Sequence, residues 1–366
     1  MNPSPGPLTG LRVVDLTDAL GAYTGRLLSD LGAEVIRIRY ATDTLDAWPT
    51  ARRIFLEAGK HVVPAEPGSL ALNEMLASAD ILLTSSDGDE LTDHGLNPAD
   101  NAARWPALIH VNISGFGLDG PHVQRPHSDL TRLAAGGLLY LGGDPDRAPV
   151  RPYPEQSSIA ASLHATVATL MAVRRRSQTG AGDLVDVSAQ EAVAHSLENA
   201  VQFVDLEDKV RRRAGSGPVE AGTGLFRCSD GWMYVVTSIG GKRLRWDEFV
   251  AWMIEEETPG ADALTAPQWH DPDFVRTPAA VAQCRTIIES FMQAPTKRWL
   301  YEEGQRRGIS IAPVSAPHDL LDNPQLDALN FFTTRTEEGH SIRFPGPPYQ
   351  FSTCTVGPRI TERQPQ

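Results

Sequence analysis

The stretch LRVVDLTDALGAYTGRLLSDLGAEVIRIRY, residues 11–40, decides the fold class. Its first six residues, 11–16, form a short apolar run, which predicts a buried strand. Residues 22–31 carry leucines at helical spacing, and Gly32 stands where a helix would end. Residues 34–39 alternate in polarity and predict a second strand. A strand, a helix and a strand in this order form a βαβ unit, so we expect a parallel sheet.

The alternation of strand and helix patterns continues along the chain. Helices are predicted over 69–78 and 99–105, and strands over 80–84 and 107–113. Four strand patterns with helices between them are typical of a doubly wound α/β domain, which we place over roughly 1–120.

The longest helical pattern covers 156–178. We expect its apolar stripe to be buried, and His164 with it, on the face that carries Ala160, Leu163, Val167, Leu170 and Met171. A strand over 184–188 and a helix over 189–204 are predicted to follow.

Composition changes predict how the chain is organised into domains. We expect a large α/β domain over 1–204, a polar linker over 205–224 and a small α+β domain over 225–330. The small domain opens on a hairpin pattern, and 331–366 is predicted to return to the large domain as short extended pieces.

Composition also excludes several functions. The 366 residues carry 33 Lys and Arg against 46 Asp and Glu, a formal net charge of −13, which disfavours nucleic acid and anionic membranes as partners. The three cysteines are widely spaced, and no apolar run is long enough to span a bilayer. The first ten residues lack the pattern of a signal peptide, so we expect a cytoplasmic protein.

Two kinds of cofactor lack their sequence signatures. The sequence has no HxH, HExxH or Cys/His cluster, which disfavours a metal site. The first βα turn has only Gly21 and Gly25 in place of the glycine-rich dinucleotide fingerprint, so NAD is not expected.

Several segments together resemble the family III CoA-transferases, the group of formyl-CoA transferase, carnitine CoA-transferase and α-methylacyl-CoA racemase. They are the opening βαβ unit, ISGFGLDGP (113–121), QTGAGDLVDVSAQEA (178–192) and DNPQLDALNFF (322–332), and they occur in the family's order. The resemblance implies a Rossmann-like large domain, a smaller α+β domain with long linkers, CoA or acyl-CoA as substrate, and an interlocked homodimer.

This chain departs from the family at the nucleophile. Family transferases use an aspartate near the start of the long helix, which forms an anhydride and then an aspartyl-CoA thioester; the resemblance places Ser158 there. A hydroxyl cannot form that anhydride. Glu155, three residues upstream, could supply the carboxylate if residues 152–157 shift. Alternatively, Glu155 is an N-terminal cap or a first-turn residue of the helix.

The racemase branch of the family implies a second set of candidates. There a histidine and the aspartate exchange a proton next to the thioester, which requires two opposed bases. The histidine position falls on Ser128, and His127 is its neighbour. Asp129 matches a family aspartate, and it could instead cap a helix over 130–139.

The resemblance also implies where CoA would bind. Backbone amides around Ala19, Gly21 and Ala22 would approach it, and basic side chains including Arg37, Arg39 and Lys60 lie where the family contacts the adenosine and phosphates. However, Ser85–Asp89 brings carboxylates to a loop where the family has none, which opposes phosphate binding.

Three hypotheses follow from these features. The first is a CoA-transferase in which Glu155 replaces the aspartate. The second is an α-proton-transfer isomerase, racemase or lyase that uses His127 with Glu155 or Asp129. The third is a repurposed or non-catalytic family member, which could act as a subunit paired with an active homologous partner.

Overall fold

The computed structural model describes residues 5–40, 48–213, 215, 220–239, 242–337 and 339–357. Among these residues, the chain divides into two compact units. The first is drawn from Met1–Gly142, Pro149–Arg211 and Ala328–Gln366, and the second from Gly143–Ala148 and Arg212–Asp327.

A parallel six-stranded sheet organises the first unit, in the order β3-β2-β1-β4-β5-β6. Its strands are β1 (Arg12–Leu16), β2 (Glu34–Arg39), β3 (Lys60–Pro64), β4 (Ile81–Thr84), β5 (Ile109–Ser114) and β6 (Asp183–Ser188). The order reverses between β1 and β4. In open α/β sheets, a ligand crevice forms at such a point, outside the carboxyl ends of the strands.

Helices lie between and after these strands. They are α1 (Ala22–Asp30), α2 (Thr50–Glu57), α3 (Leu70–Ala77), α4 (Gly88–Asp93), α5 (Pro98–Arg104), α6 (Asp129–Ala135), α7 (Leu138–Leu141), α8 (Gln156–Thr179), α9 (Ala189–His195) and α10 (Gln202–Glu207). Aliphatic residues of the strands form two cores, one on each face of the sheet. The predicted α/β class with a parallel sheet is confirmed.

The second unit is an α+β assembly around an antiparallel sheet of order β11-β8-β7. Its strands are β7 (Gly224–Cys228), β8 (Gly231–Val236), the short pair β9 (Ser238–Ile239) and β10 (Lys242–Arg243), and β11 (Ser310–Pro313). Its helices are α11 (Trp246–Glu255), α12 (Pro278–Met292) and α13 (Lys297–Arg306), with 3₁₀ turns at Ala261–Thr265, Pro267–His270, Phe274–Arg276 and Asp319–Asp322.

The end of the described chain adds a short helix and a hairpin. Helix α14 (Pro324–Ala328) precedes the antiparallel strands β12 (Phe332–Glu337) and β13 (His340–Pro345). Phe344 of β13 packs with Ile54 and Ala58, next to helix α2 of the first unit.

Three predicted details differ from the structure. Strand β3 and helix α2 were not predicted, so five strands, and not four, precede residue 120. The helix expected over 189–204 is two helices, α9 and α10. The apolar stripe of α8 is also on the other face: Leu163, Val167 and Met171 are 48%, 57% and 66% exposed in this chain.

Small residues form the buried face of α8. Ala161, Ser162, Ala165 and Thr169 are fully buried there. The Ser162 hydroxyl donates a hydrogen bond to the Leu20 carbonyl at 3.2 Å, which brings α8 against the start of α1. Small side chains are needed because the two backbones approach closely, and large apolar residues are therefore displaced to the opposite face.

Candidate functional site

A cavity of about 240 Å³ opens at the carboxyl ends of β1, β2 and β4, where the strand order reverses. Its lining combines aromatic, hydroxyl and charged side chains: Leu16, Thr17, Asp18, Arg37, Tyr40, Trp48, Thr84, Ser85, Ser86, Glu90, His94 and Leu96. The position is the one expected for a ligand in a doubly wound fold.

A buried charge cluster lies beside this cavity. The Lys60 ammonium contacts Asp15 Oδ2 at 2.9 Å and Glu57 Oε1 at 3.2 Å, and it donates to the Ala22 carbonyl at 2.9 Å. Arg37 lies 3.7 Å from Glu57 Oε2. Burial alone would raise the pKa of Asp15, but the charges of Lys60 and Arg37 outweigh it and lower the pKa overall.

The buried charge cluster limits which of the basic side chains predicted to contact CoA are accessible to a ligand. The Lys60 side chain has no solvent exposure, and its three oxygen partners use all three ammonium protons. Arg37 is 2% exposed, yet it lines the cavity. Arg39 is half-buried at the end of β2. A direct role of these three residues in holding CoA stays a prediction.

The turn before α1 carries the other predicted CoA contacts. Ala19 is half-buried, and Ala22 is the first residue of α1, with its carbonyl held by Lys60. A Cβ at Gly21 would collide with the Ser85 hydroxyl, so this position requires glycine. Ser85 therefore lies close to this turn, and an approach of CoA to the same backbone stays a prediction.

The acidic loop after β4 uses its carboxylates internally. Asp87 accepts a hydrogen bond from the Glu90 amide at 2.9 Å and caps α4. Asp89 accepts a hydrogen bond from Gln124. The carboxylates that line the cavity are those of Asp18 and Glu90. An acidic wall is therefore present, although the residues that form it are not Asp87 and Asp89.

The predicted catalytic residues gather around Arg132 of α6, which is 6% exposed. Its Nε donates to Ser157 Oγ at 2.9 Å, one Nη donates to Ser158 Oγ at 3.2 Å, and the other lies 2.8 Å from His127 Nδ1. The guanidinium thus joins α6, the start of α8 and the loop before α6.

Asp129 is bound firmly within this group. Its carboxylate accepts from the Ser157 hydroxyl at 2.7 Å, from the Ser157 amide at 3.1 Å and from the Glu155 amide at 3.1 Å, and Arg151 lies at 3.4 Å. Burial alone would raise the pKa of Asp129, but the hydrogen bonds from Ser157 and Glu155 outweigh it and lower the pKa. Asp129 therefore satisfies the amides at the start of α8.

The expectation that Asp129 caps a helix over 130–139 is wrong. Helix α6 begins at Asp129 itself, and Ser128 is its N-cap, with a reciprocal capping box to Thr131. The Asp129 side chain is directed to a different helix because its own helix is already capped.

Glu155 turns toward Ser158. Its Oε2 accepts from the Ser158 hydroxyl at 3.3 Å and lies 2.9 Å from an Arg52 nitrogen. Glu155 stands at the N-cap position of α8 with φ of 73°, and its side chain makes no capping hydrogen bond. Its carboxylate thus lies beside Ser158, the residue that the resemblance assigns to the nucleophile position, and it makes no helix-capping hydrogen bond.

His127 presents a hydrogen-bond donor. Its ring packs against Gly115, where a Cβ would collide with it. Because an arginine only donates, Nδ1 must accept from Arg132, and the ring proton belongs on Nε2. Burial and the charge of Arg132 both lower the pKa of His127. The free edge of the ring is an N–H group, which disfavours a role as base.

The sequence patterns do not identify Arg132 and Ser157 as members of the site. Arginine in a short helix usually indicates an exposed face. A signal is nevertheless present, since Arg132 directly precedes three apolar residues in DLTRLAA (129–135) and two consecutive serines lie near the start of the long helix.

The family model for CoA-transferase family III matches residues 8–366. The chain belongs to CoA-transferase family III. The resemblance drawn from the sequence motifs is confirmed, and the family is one of transferases that act on CoA thioesters.

Two relatives of this family III chain match most of its length. Succinyl-CoA:(R)-benzylsuccinate CoA-transferase subunit BbsE from Thauera aromatica is 34% identical over 93% of this chain and 87% of the relative. Succinyl-CoA–L-malate CoA-transferase alpha subunit from Chloroflexus aurantiacus is 32% identical over 91% of this chain and 80% of the relative.

A solved structure shares the fold of this family III chain. A CAIB/BAIF family protein from Brucella suis is 22% identical, covers 98% of this chain and 97% of its own, and gives a TM-score of 0.83. In the part of the chain that the structure describes, no three His, Cys, Asp or Glu side chains are grouped to hold a metal ion. No helix there is long and apolar enough to cross a membrane.

Proposed function

We propose that this chain is a subunit of a CoA-transferase that exchanges CoA between succinyl-CoA and a second carboxylic acid, with the nucleophilic aspartate supplied by a homologous partner chain. The observation that carries the proposal is Ser158. The resemblance assigns this residue to the nucleophile position of the family, and its hydroxyl lies between Arg132 and Glu155.

A serine at this position cannot perform the family's reaction. In the transferases, the carboxylate takes the acyl group as an anhydride and then takes CoA as a thioester, so the enzyme itself carries CoA to the acceptor. A hydroxyl that attacked acyl-CoA would form an ester and release free CoA. No activated group would then remain on the enzyme to deliver CoA.

The names of the relatives support a paired arrangement. Both relatives are named as subunits, and both names include succinyl-CoA as the CoA donor. A beta subunit of the malate enzyme is 30% identical to this chain over 62% of it, so homologous chains occur together in at least one named transferase. The resemblance to homodimeric family members is compatible with a pair of unlike chains.

Glu155 supports a second candidate, a transferase that acts without a partner nucleophile. Its carboxylate is 3.3 Å from Ser158 Oγ, so a substrate aligned for an aspartate at 158 would also meet Glu155. The contact with Arg52 at 2.9 Å holds this carboxylate beside Ser158. No comparable observation favours the isomerase, because His127 presents an N–H group.

Covalent capture of CoA distinguishes the two candidates. The purified chain is incubated with succinyl-CoA and analysed by intact-protein mass spectrometry, alongside Ser158→Asp and the matched, non-nucleophilic Ser158→Asn. We expect a CoA thioester on Ser158→Asp only. A CoA adduct on the wild-type chain that disappears in Glu155→Gln would contradict the proposal and establish Glu155 as the nucleophile.

Transfer activity tests the partner. Succinyl-CoA and a dicarboxylic acceptor are supplied to this chain alone, and to this chain co-expressed with a family homologue that carries aspartate at the position of Ser158. We expect transfer only with both chains present, and its loss when that aspartate is replaced by asparagine. Full transfer by this chain alone would contradict the proposal.

A further inference from the structure

Arg132 reaches two carboxylates, each through one serine hydroxyl. The Ser157 hydroxyl accepts from Arg132 Nε and donates to Asp129. The Ser158 hydroxyl accepts from an Arg132 Nη and donates to Glu155. Each serine has one proton to give, so both directions are fixed by chemistry. The two branches have the same connectivity, but one ends on the buried carboxylate of Asp129 and the other on the partly exposed carboxylate of Glu155.

The branch through Ser158 joins two guanidinium groups, those of Arg132 and Arg52, to the single carboxylate of Glu155. Arg132 is 6% exposed, and among the described residues no carboxylate is in direct contact with it. Arg52 adds a second guanidinium at the end of this branch, 2.9 Å from Glu155. A buried cation is costly unless an anion compensates it. The position that holds an anionic nucleophile in the family is therefore suited here to receive an anion.

We propose that Ser158, Arg132 and Arg52 form a binding site for the free carboxylate of a dicarboxylic acid, and that Glu155 occupies this site until the ligand displaces it. The proposal deepens the proposed function, on which it rests, by giving the altered position a role in substrate recognition. The planar carboxylate would accept from the Ser158 hydroxyl and the Arg52 guanidinium, as the Glu155 carboxylate now does.

Glu155 is suited to leave. Its side chain is 36% exposed, and its carboxylate has two partners, Ser158 and Arg52. Its backbone has φ of 73°, the left-handed region that a residue with a Cβ seldom adopts. The backbone amide is held by Asp129, so the side chain can swing outward while the start of α8 stays in place.

Succinate is the probe for this site, and binding is measured by isothermal titration with the full chain. Replacing Glu155 by alanine removes the internal competitor. If Glu155 fills the site nine-tenths of the time, we expect succinate to bind about tenfold more tightly to Glu155→Ala than to the wild type. Glu198→Ala is the matched control, because Glu198 also has a left-handed backbone, with φ of 57°. It should leave the affinity unchanged.

Two further variants identify the contacts without disturbing the buried guanidinium. In the Glu155→Ala background, Ser158→Ala and Arg52→Gln should each weaken succinate binding about tenfold or more, since each removes a hydrogen bond to a charged group. Neutral succinamide should not bind. Equal binding of succinate by Glu155→Ala and Glu198→Ala, or by the Ser158→Ala double variant and its parent, would overturn the proposal. Equal affinity for sulfate would also overturn it.

The two proposals fail in different ways. Succinate carries no thioester, so its binding does not depend on covalent capture of CoA. A wild-type CoA adduct on Glu155 would remove the proposed function, whereas unaltered succinate affinity in Glu155→Ala would remove only the carboxylate site.

Discussion

The two branches from Arg132 use the same groups but differ in how completely the carboxylate is held. Asp129 is 7% exposed and is held by a hydroxyl, two amides and an arginine. Glu155 is 36% exposed and has one hydroxyl and one arginine. The Asp129 carboxylate is too completely bound to leave its partners, whereas a carboxylate in solution can take the place of the Glu155 carboxylate.

The difference in burial and partners gives Asp129 a structural role and gives Glu155 a role in ligand binding within the same cluster. A buried carboxylate that accepts hydrogen bonds from backbone amides stabilises the fold, and replacing it lowers the free energy of unfolding. A half-exposed ion pair contributes little to stability. The comparison therefore predicts that substitutions in the Asp129 branch change stability, and that equivalent substitutions in the Glu155 branch change binding.

The largest effect on stability is expected for Asp129→Asn. An amide places donors opposite the Ser157 and Glu155 amides and removes the negative charge that reaches Arg132 through the Ser157 hydroxyl. We expect a loss of about 3 kcal/mol in the free energy of unfolding, measured by urea titration. Asp205→Asn, on an exposed position of α10, is the control and should change it by less than about 0.5 kcal/mol.

The pH dependence of stability is an independent test of the Asp129→Asn prediction. The pKa of Asp129 is lowered in the folded state, so its contribution to stability is complete above the unfolded value of about 3.9 and is lost as the pH falls through the folded value. The stability difference between wild type and Asp129→Asn should narrow as the pH falls from 5 toward 2. A constant difference would show that the Asp129 charge is not what stabilises α8.

The two serines offer the closest matched pair. Ser157→Ala leaves both Arg132 Nε and an Asp129 oxygen short of a partner in a fully buried position, so we expect a loss of about 2 kcal/mol. Ser158→Ala should cost about 1 kcal/mol, because its far partner Glu155 can turn to water. Equal losses would remove the distinction between the branches.

The pKa of His127 depends on the charge of Arg132, whose guanidinium lies 2.8 Å from His127 Nδ1. Burial and the charge of Arg132 lower the pKa of His127, so Arg132→Gln should raise it. Proton NMR titration of the His127 ring measures this. Ser158→Ala keeps the contact between Arg132 and His127 and should leave the titration unchanged. An unchanged His127 pKa in Arg132→Gln would mean that burial alone accounts for the shift.

The sequence was sufficient for the sheet because buried strands such as 11–16 and 34–39 carry their own periodicity. Strand β3 is not evident from the sequence because KHVVP (60–64) is short, follows Gly59 and ends on Pro64, so the pattern indicates a turn as strongly as a strand. The exposed side of α8 was misassigned because large apolar residues outweigh small ones in a periodicity argument, whereas close packing requires the small ones.

The site was only partly predictable for a different reason. Ser158, Glu155 and Asp129 are candidates from the sequence because the resemblance places them at or near functional positions of the family. The resemblance does not identify Arg132, because the role of that residue arises from burial between α6 and α8, which no local pattern encodes. Lys60 illustrates the same limit: a basic residue near a predicted phosphate site has a fully buried ammonium that is already bound by three oxygens.

The smallest effect on stability is expected for Glu155→Gln. The ion pair between Glu155 and Arg52 is partly exposed, with side-chain exposures of 36% and 27%, so solvent and salt screen it. Glutamine keeps an oxygen that can accept from Ser158. We expect a change within about 0.5 kcal/mol in urea titrations, which becomes smaller as salt is added. A loss comparable with that of Asp129→Asn would mean that Glu155 is a second structural carboxylate, and the difference between the two branches would no longer hold.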